Sequence, residues 1–347
     1  MHNAPRHAWQ LLHPPIQCHA HGWLDVGDGH QIYWETSGHP GGAPALFVHG
    51  GPGAGCTPND RRWFDPQRWR VVLFDQRGAG RSRPSGELQH NSTEYLLRDM
   101  ETLRRHLGIE RWLLLGGSWG ATLALAYAQR HPQRVAGLVL RGVFTGTLRE
   151  WRWLYGADGA ARRQPAAWRQ FTAALPWPLH EPVPAAYTRE LQHADGRRRD
   201  AATRAWLDWE QDLMDADGDA RPATARTPAP AGRERQALSG AERAHARIGA
   251  HYAQHDFFVD GPALIEGAAS LQHTAGHIVH GALDSVTPQA SARALHAAWP
   301  AAHLYIVAGA GHASSHPALA QALLSAIQQC HPGLEAPIIG RQVPSPA

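Results

Sequence analysis

A serine set between glycines, a later aspartate and a still later histidine are the residues of this chain whose types and order could do covalent chemistry. Gly116-Gly117-Ser118-Trp119-Gly120 fits the small-x-Ser-x-Gly pattern in which a serine is presented on a sharp strand-to-helix turn. Small neighbours are required there because side chains beside the serine would collide with the strand and the helix. A hydroxyl at its free pKa is a poor nucleophile, so it needs a base within hydrogen-bond reach and a carboxylate to orient that base. Asp284 follows the apolar stretch Ala275 to Gly281, and His312 follows Leu304-Tyr305-Ile306-Val307 in Ala308-Gly309-Ala310-Gly311-His312. The order serine, acid, histidine suits acyl transfer, with Ser118 as nucleophile, His312 as base and Asp284 as orienting carboxylate. The tetrahedral intermediate of such a reaction needs backbone N–H donors. Leu46-Phe47-Val48-His49-Gly50-Gly51-Pro52-Gly53 ends an apolar run in a His-Gly-Gly turn, so the donors are assigned to the amides of Gly51 and Trp119. His49 is read as a brace for this loop, since His312 already fills the base role.

These residues need strand ends to stand on. Arg111 to Leu115 reads as the strand entering the serine turn, and Ala121 to Ala128 as the helix leaving it. Trp23 to Val26 and His30 to Trp34 flank Gly27-Asp28-Gly29 as a hairpin. Strands at Ala45 to Val48, Val71 to Phe74 and Gly137 to Arg141 alternate with helical patterns at Thr93 to Leu107 and Ala121 to Arg130. Alternation of this kind gives βαβ units and a mostly parallel sheet. After Phe144 the pattern changes to tryptophans among arginine, alanine and acidic residues, with no strand signal before about residue 275, which reads as a helical insertion over the strand ends. The expected organisation is a core over 1–144 and 263–330, a helical cap over 145–262 and a tail over 331–347. Asp215 to Gly232, rich in Asp, Ala, Pro and Gly, is expected to be a loop within the cap.

Composition removes several alternatives. A chain of 347 residues with 43% hydrophobic content can bury a large core. No apolar run reaches the length of a membrane span, and Met1 to His7 lead into no signal-like segment, so a cytoplasmic location is expected. Cys18, Cys56 and Cys330 are odd in number and widely spaced, which argues against a disulfide framework. The formal charge of +3 makes no case for nucleic acid, and Arg197-Arg198-Arg199 reads as a solvated run. The sequence contains no lysine, which excludes a Ser-Lys dyad, a Schiff base and a phosphate-loop lysine. His273, His277 and His280 have helical ligand spacing, but Gly276 to Gly281 reads as strand, where 277 and 280 face opposite sides, so no metal site is expected.

With these motifs assembled, the chain resembles the proline iminopeptidases, or prolyl aminopeptidases, of the α/β-hydrolase superfamily. The resemblance runs from about Pro14 to His312 and rests on His49-Gly50-Gly51-Pro52-Gly53, Asp75-Gln76-Arg77-Gly78, Gly116-Gly117-Ser118-Trp119-Gly120, Arg141-Gly142-Val143-Phe144 and Trp206-Leu207-Asp208-Trp209-Glu210. It implies an α/β-hydrolase fold with a helical cap, and release of proline from the free N-terminus of a peptide without metal or cofactor. Glu210 would then receive the cationic imino group, whose burial without a counter-charge would cost several kcal/mol. Phe144 and Trp209 would line the proline pocket. The cap also departs from the family pattern. Gly249 stands where Ala-Arg-Ile-Glu would place a second acid, Ala253 where an aromatic is common, and Leu154 where tyrosine is common. A second register, Gln254-His255-Asp256-Phe257-Phe258, restores the aromatics and offers Asp256 as the missing charge. The catalytic motifs are intact while the pocket is altered, so a carboxylesterase or amidase acting on a neutral substrate is the alternative.

Overall fold

A computed structural model describes residues 8–215 and 237–331 of the protein. The proposed loop over 215–232, apart from Asp215 itself, and the tail beyond 331 lie outside the described residues. Eight strands form one sheet in the order β1-β2-β4-β3-β5-β6-β7-β8. They are β1 (Cys18–Asp25), β2 (Gln31–Gly38), β3 (Ala43–Val48), β4 (Trp69–Phe74), β5 (Trp112–Gly117), β6 (Val135–Arg141), β7 (Ala275–Gly281) and β8 (Ala302–Val307). β1 and β2 pair antiparallel at one edge, β2 runs antiparallel to β4, and every pairing from β4 to β8 is parallel.

Burial explains which runs became which strands. β1, at the edge, alternates between half-buried and exposed positions, whereas the central strand β5 is buried from Trp112 to Gly116. Successive residues of the central strands serve opposite layers. Leu114, Val72 and Phe74 join one core cluster, and Leu113, Leu115, Val71 and Leu73 the other, the two-residue period of a pleated strand. The first layer packs on α1 (Thr93–His106) and α2 (Trp119–Arg130), the second on the C-terminal helix Pro317–Gln329.

Between β6 and β7 the described chain is helical. α3 (Leu148–Tyr155), α4 (Pro165–Ala173), α5 (Val183–Glu190), α6 (Gly196–Asp215) and α7 (Gly240–Gln254) are followed by the short α8 (Gly261–Glu266), which leads back toward the sheet. The tryptophans of this segment build a core of their own. Phe171 stacks on Tyr187 at 4.5 Å and on Trp209 at 5.3 Å, while Trp206 meets Tyr187 edge-on at 5.3 Å. Such aromatic contacts each add about 0.5–1.5 kcal/mol beyond area burial and join α4, α5 and α6 to one another. Among the described residues, no helix is long and apolar enough to cross a membrane. His277 stacks on His303 and Tyr305, whereas His280 turns toward Val143 and Thr287, so the two point to opposite faces of β7.

Candidate active site

The turn from β5 to α2 places Ser118 at φ 57° and ψ −126°, a conformation that non-glycine residues rarely adopt. Its glycines are steric requirements. A Cβ at Gly116 would lie 2.2 Å from the Gly120 carbonyl oxygen, and one at Gly120 would lie 2.1 Å from that of Val48. Gly117 makes room for a different group, because a Cβ there would lie 2.4 Å from an Nη of Arg141. Arg141 ties the site together twice: its carbonyl accepts the Ser118 N–H at 2.9 Å, and its Nη1 donates to the His312 carbonyl at 2.9 Å.

His312 is buried, and its Nδ1 lies 2.8 Å from Asp284 Oδ2. The carboxylate can only accept, so Nδ1 carries the hydrogen and Nε2 is left as the basic nitrogen. Asp284 is itself heavily solvated by protein. Its Oδ1 accepts from the Val286 and Thr287 amides at 3.0 and 2.7 Å, and its Oδ2 from the Thr287 hydroxyl at 2.9 Å. Burial works against the charged form, but the charge and hydrogen bond of His312 and the Thr287 amide outweigh it and hold the carboxyl below its ordinary range. His280 supports this loop from behind: Nδ1 accepts from the Val143 amide at 3.2 Å and Nε2 donates to the Thr287 carbonyl at 2.8 Å. Gly142, at φ 53°, leaves space for the imidazole, since a Cβ there would lie 2.8 Å from the His312 ring.

Opposite the serine, the loop after β3 carries Gly51 at φ 110°. His49 is buried beneath it, with Nε2 accepting from the Gln76 amide at 3.0 Å and Nδ1 donating to the Gly50 carbonyl at 2.9 Å. Gln76 also donates to the His49 carbonyl at 2.9 Å and accepts from the Trp119 indole at 3.0 Å. His49 and Gln76 thus lock the Gly51 loop to the first residue of α2. The Asp-Gln-Arg-Gly segment is scaffolding around them: Asp75 binds the Cys56 amide and Arg81, and Arg77 grips the buried Asp99 with two bonds of 2.6 and 2.8 Å.

A cavity of about 510 Å³ lies between the sheet and the helices that follow β6, lined by Gly51, Ser118, Trp119, His312, Phe144, Leu154, Trp209 and Glu210 among others. The structure therefore brings the sequence-derived candidates for catalysis, oxyanion binding and substrate binding to one place, with one exception. Asp256 does not reach it. It lines a separate depression with Gln254, Leu148 and Trp151, because α7 runs unbroken to Gln254 and a left-handed turn at Asp256–Phe258 follows. That turn sends Phe257 into the cavity instead, against Phe144 at 4.6 Å and Trp119 at 5.9 Å. Gly249 packs on the Trp206 indole, where a Cβ would meet Nε1 at 3.0 Å, and the carbonyl of Ala253 accepts from the Trp151 indole at 2.8 Å.

Glu210 is partly exposed to the cavity. Its Oε1 accepts from the Trp206 indole at 2.9 Å, and its Oε2 stands 3.3 Å from His245 Nε2. Loss of water raises its carboxyl above the ordinary range, against the opposing pull of His245 and the Trp206 N–H. Arg141, Thr287, His280 and His245 were not singled out from the sequence as site residues. Thr287, three positions after Asp284, carried the one local signal, the spacing at which a hydroxyl or amide folds back on an aspartate.

An eight-stranded, mostly parallel sheet with a serine on the β5–α2 turn defines an α/β hydrolase, and residues 44–318 match the family model of the α/β hydrolase fold. An α/β hydrolase from a deep-sea metagenome library superposes with a TM-score of 0.58 at 16% identity, covering 91% of this chain and 100% of that one. The proline iminopeptidase-related protein of Thermus thermophilus superposes with 0.53 at 22% identity, covering 91% and 99%. At the level of sequence, the chain is 43% identical to a proline iminopeptidase of Arabidopsis thaliana, over 91% of this chain and 81% of that protein. It is 42% identical to that of Xylella fastidiosa, over 91% and 98%. The chain belongs to the proline iminopeptidase family of α/β hydrolases.

Proposed function

We propose that the protein is a serine aminopeptidase that releases proline from the free N-terminus of peptides through an acyl-enzyme. The observation that carries this reading is Glu210, a carboxylate lining the same cavity as Ser118, Phe144 and Trp209. An aminopeptidase differs from an esterase in needing an anion within one residue of the nucleophile, since an α-amine lies two bonds from the carbonyl it flanks. Ser118 Oγ attacks that carbonyl while His312 Nε2 takes its proton, and Asp284 stabilises the imidazolium that forms. The amides of Gly51 and Trp119 hold the oxyanion, helped by the N-terminal end of α2. Collapse breaks the C–N bond and His312 returns the proton to the leaving amine. Water, deprotonated by the same imidazole, then releases proline and restores the serine. Phe144 and Trp209 pack on the proline ring. We further propose that 145–262 acts as the unit that covers the site and selects the terminus, joined to a core of 1–144 and 263–330. The three free, widely spaced cysteines favour a reducing compartment and hence the cytoplasm.

Comparing a prolyl arylamide, its N-acetyl derivative and a short acyl ester tests the reading. Wild-type protein should cleave the first far better than the second, and Glu210→Gln should raise KM for the first alone. Equal turnover of free and N-blocked proline substrates would instead establish a hydrolase for neutral substrates.

A further inference from the structure

Among the described residues, two carboxylates line the catalytic cavity, Glu210 and Glu242. Glu242 is committed elsewhere: its Oε2 accepts from the Ser239 amide and hydroxyl at 2.7 Å each, capping the start of α7. Among the described residues, one charged acceptor is therefore available to a substrate amine. Proline at a peptide N-terminus is a secondary ammonium with two N–H donors, and burying one of them unmet costs about 1–3 kcal/mol.

His245 is placed to meet it. It sits one helical turn before Gly249 on α7, so it shares the helix face from which a side chain at 249 would have been projected. Its Nε2 lies 3.3 Å from Glu210 Oε2, is shielded from solvent and makes no hydrogen bond among the described residues. The same nitrogen is 3.3 Å from the point where a side chain on Gly51 would begin, and a Cβ on Gly53 would lie 3.2 Å from the His245 carbonyl oxygen. The imidazole thus stands between the carboxylate that would hold the amine and the loop that would hold the oxyanion.

Resting on the aminopeptidase reading, we propose that His245 is a specificity-determining residue that accepts the second N–H of the substrate's imino group, beside Glu210. A neutral imidazole suits this position because it is amphoteric. One tautomer turns its N–H toward the Glu210 carboxylate as an electrostatic contact when no amine is bound, and the other offers a lone pair to the ammonium when one is. A second carboxylate at 3.3 Å would instead repel the first and raise its pKa further.

The test compares His245→Leu, His245→Gln and Glu210→Gln on a prolyl arylamide and on a short acyl ester. The readout is the ratio of the two kcat/KM values. His245→Leu should lower that ratio about tenfold, the scale of one charge-assisted hydrogen bond, with the loss in KM. His245→Gln, which keeps an acceptor, should return it to within about threefold of wild type. An unchanged ratio in His245→Leu, a fall shared equally by both substrates, or no rescue by glutamine would overturn the proposal. If Glu210→Gln also leaves the ratio unchanged, the aminopeptidase reading itself fails; if Glu210→Gln lowers it while His245→Leu does not, only the role of His245 falls.

Discussion

Asp284→Asn isolates the orienting role of the carboxylate, and the bonds around Asp284 dictate how the variant must sit. Asp284 Oδ1 receives two backbone N–H groups, from Val286 at 3.0 Å and Thr287 at 2.7 Å, and neither can turn away. An asparagine must therefore keep its oxygen there, because pointing its NH₂ at those donors would leave buried groups unpaired at about 1–3 kcal/mol each. Its nitrogen then occupies the place of Oδ2, 2.8 Å from His312 Nδ1. The Thr287 hydroxyl can rotate to accept from that nitrogen, but His312 can do so only as the tautomer hydrogenated on Nε2. That tautomer has no lone pair for the Ser118 proton. The variant should keep its fold and lose about 10⁴-fold in kcat, near 5.5 kcal/mol of barrier, as the wrong tautomer does in the general serine-hydrolase template. Release of arylamine from a prolyl arylamide gives kcat, a fluorophosphonate gives the reactivity of Ser118, and a urea titration checks stability. A kcat within tenfold of wild type in a folded variant would refute the tautomer argument.

Four further outcomes follow from the geometry. Gly120→Ala should destabilise the protein by more than about 4 kcal/mol or abolish soluble expression, because its Cβ would lie 2.1 Å from the Val48 carbonyl oxygen; Gly240→Ala, with nothing within 4 Å, serves as the tolerated control. Asp99→Asn should cost about 3–5 kcal/mol in urea unfolding, since it leaves the buried Arg77 with only the more distant, partly exposed carboxylate of Asp28 at 3.7 Å. Burial lowers His277 to about 4, so between pH 6.5 and 4 the unfolded chain binds a proton that the folded one refuses. Stability should fall by about 3 kcal/mol across that window, and His277→Phe should flatten the pH dependence of the urea midpoint. Glu210, raised by loss of water, should take up its proton above the usual carboxylate range, so KM for a free-amine substrate should climb on acidification before that of an acyl ester does.

Much of the sheet was legible in the chain because its strands are buried on both faces and read as short apolar runs bounded by glycine. Leu113 to Leu115 and Leu138 to Leu140 are examples, and the helical pattern predicted over Thr93 to Leu107 is observed as Thr93–His106. Residues on strand ends were equally readable, since the types and order of Ser118, Asp284 and His312 are local signals. The helical segment between β6 and β7 resisted reading. Its helices bury tryptophans against one another, and no sequence period states which side of α6 or α7 faces the cavity.

What the sequence determined by itself is therefore the alternation of strand and helix and the chemical inventory at the turns, because both depend on neighbours a few positions away. Tertiary structure decided which of several acids near the cavity could matter. Glu210 reaches it because α6 is pinned by the Phe171 and Trp209 stack, whereas Asp256 is turned away by a left-handed bend that follows the end of α7. The meeting of His245, Glu210 and Gly51, from two helices and a loop far apart in the chain, is likewise a product of packing. Side chains that converge from distant elements leave no periodic trace in any one of them, so only the folded protein shows them together.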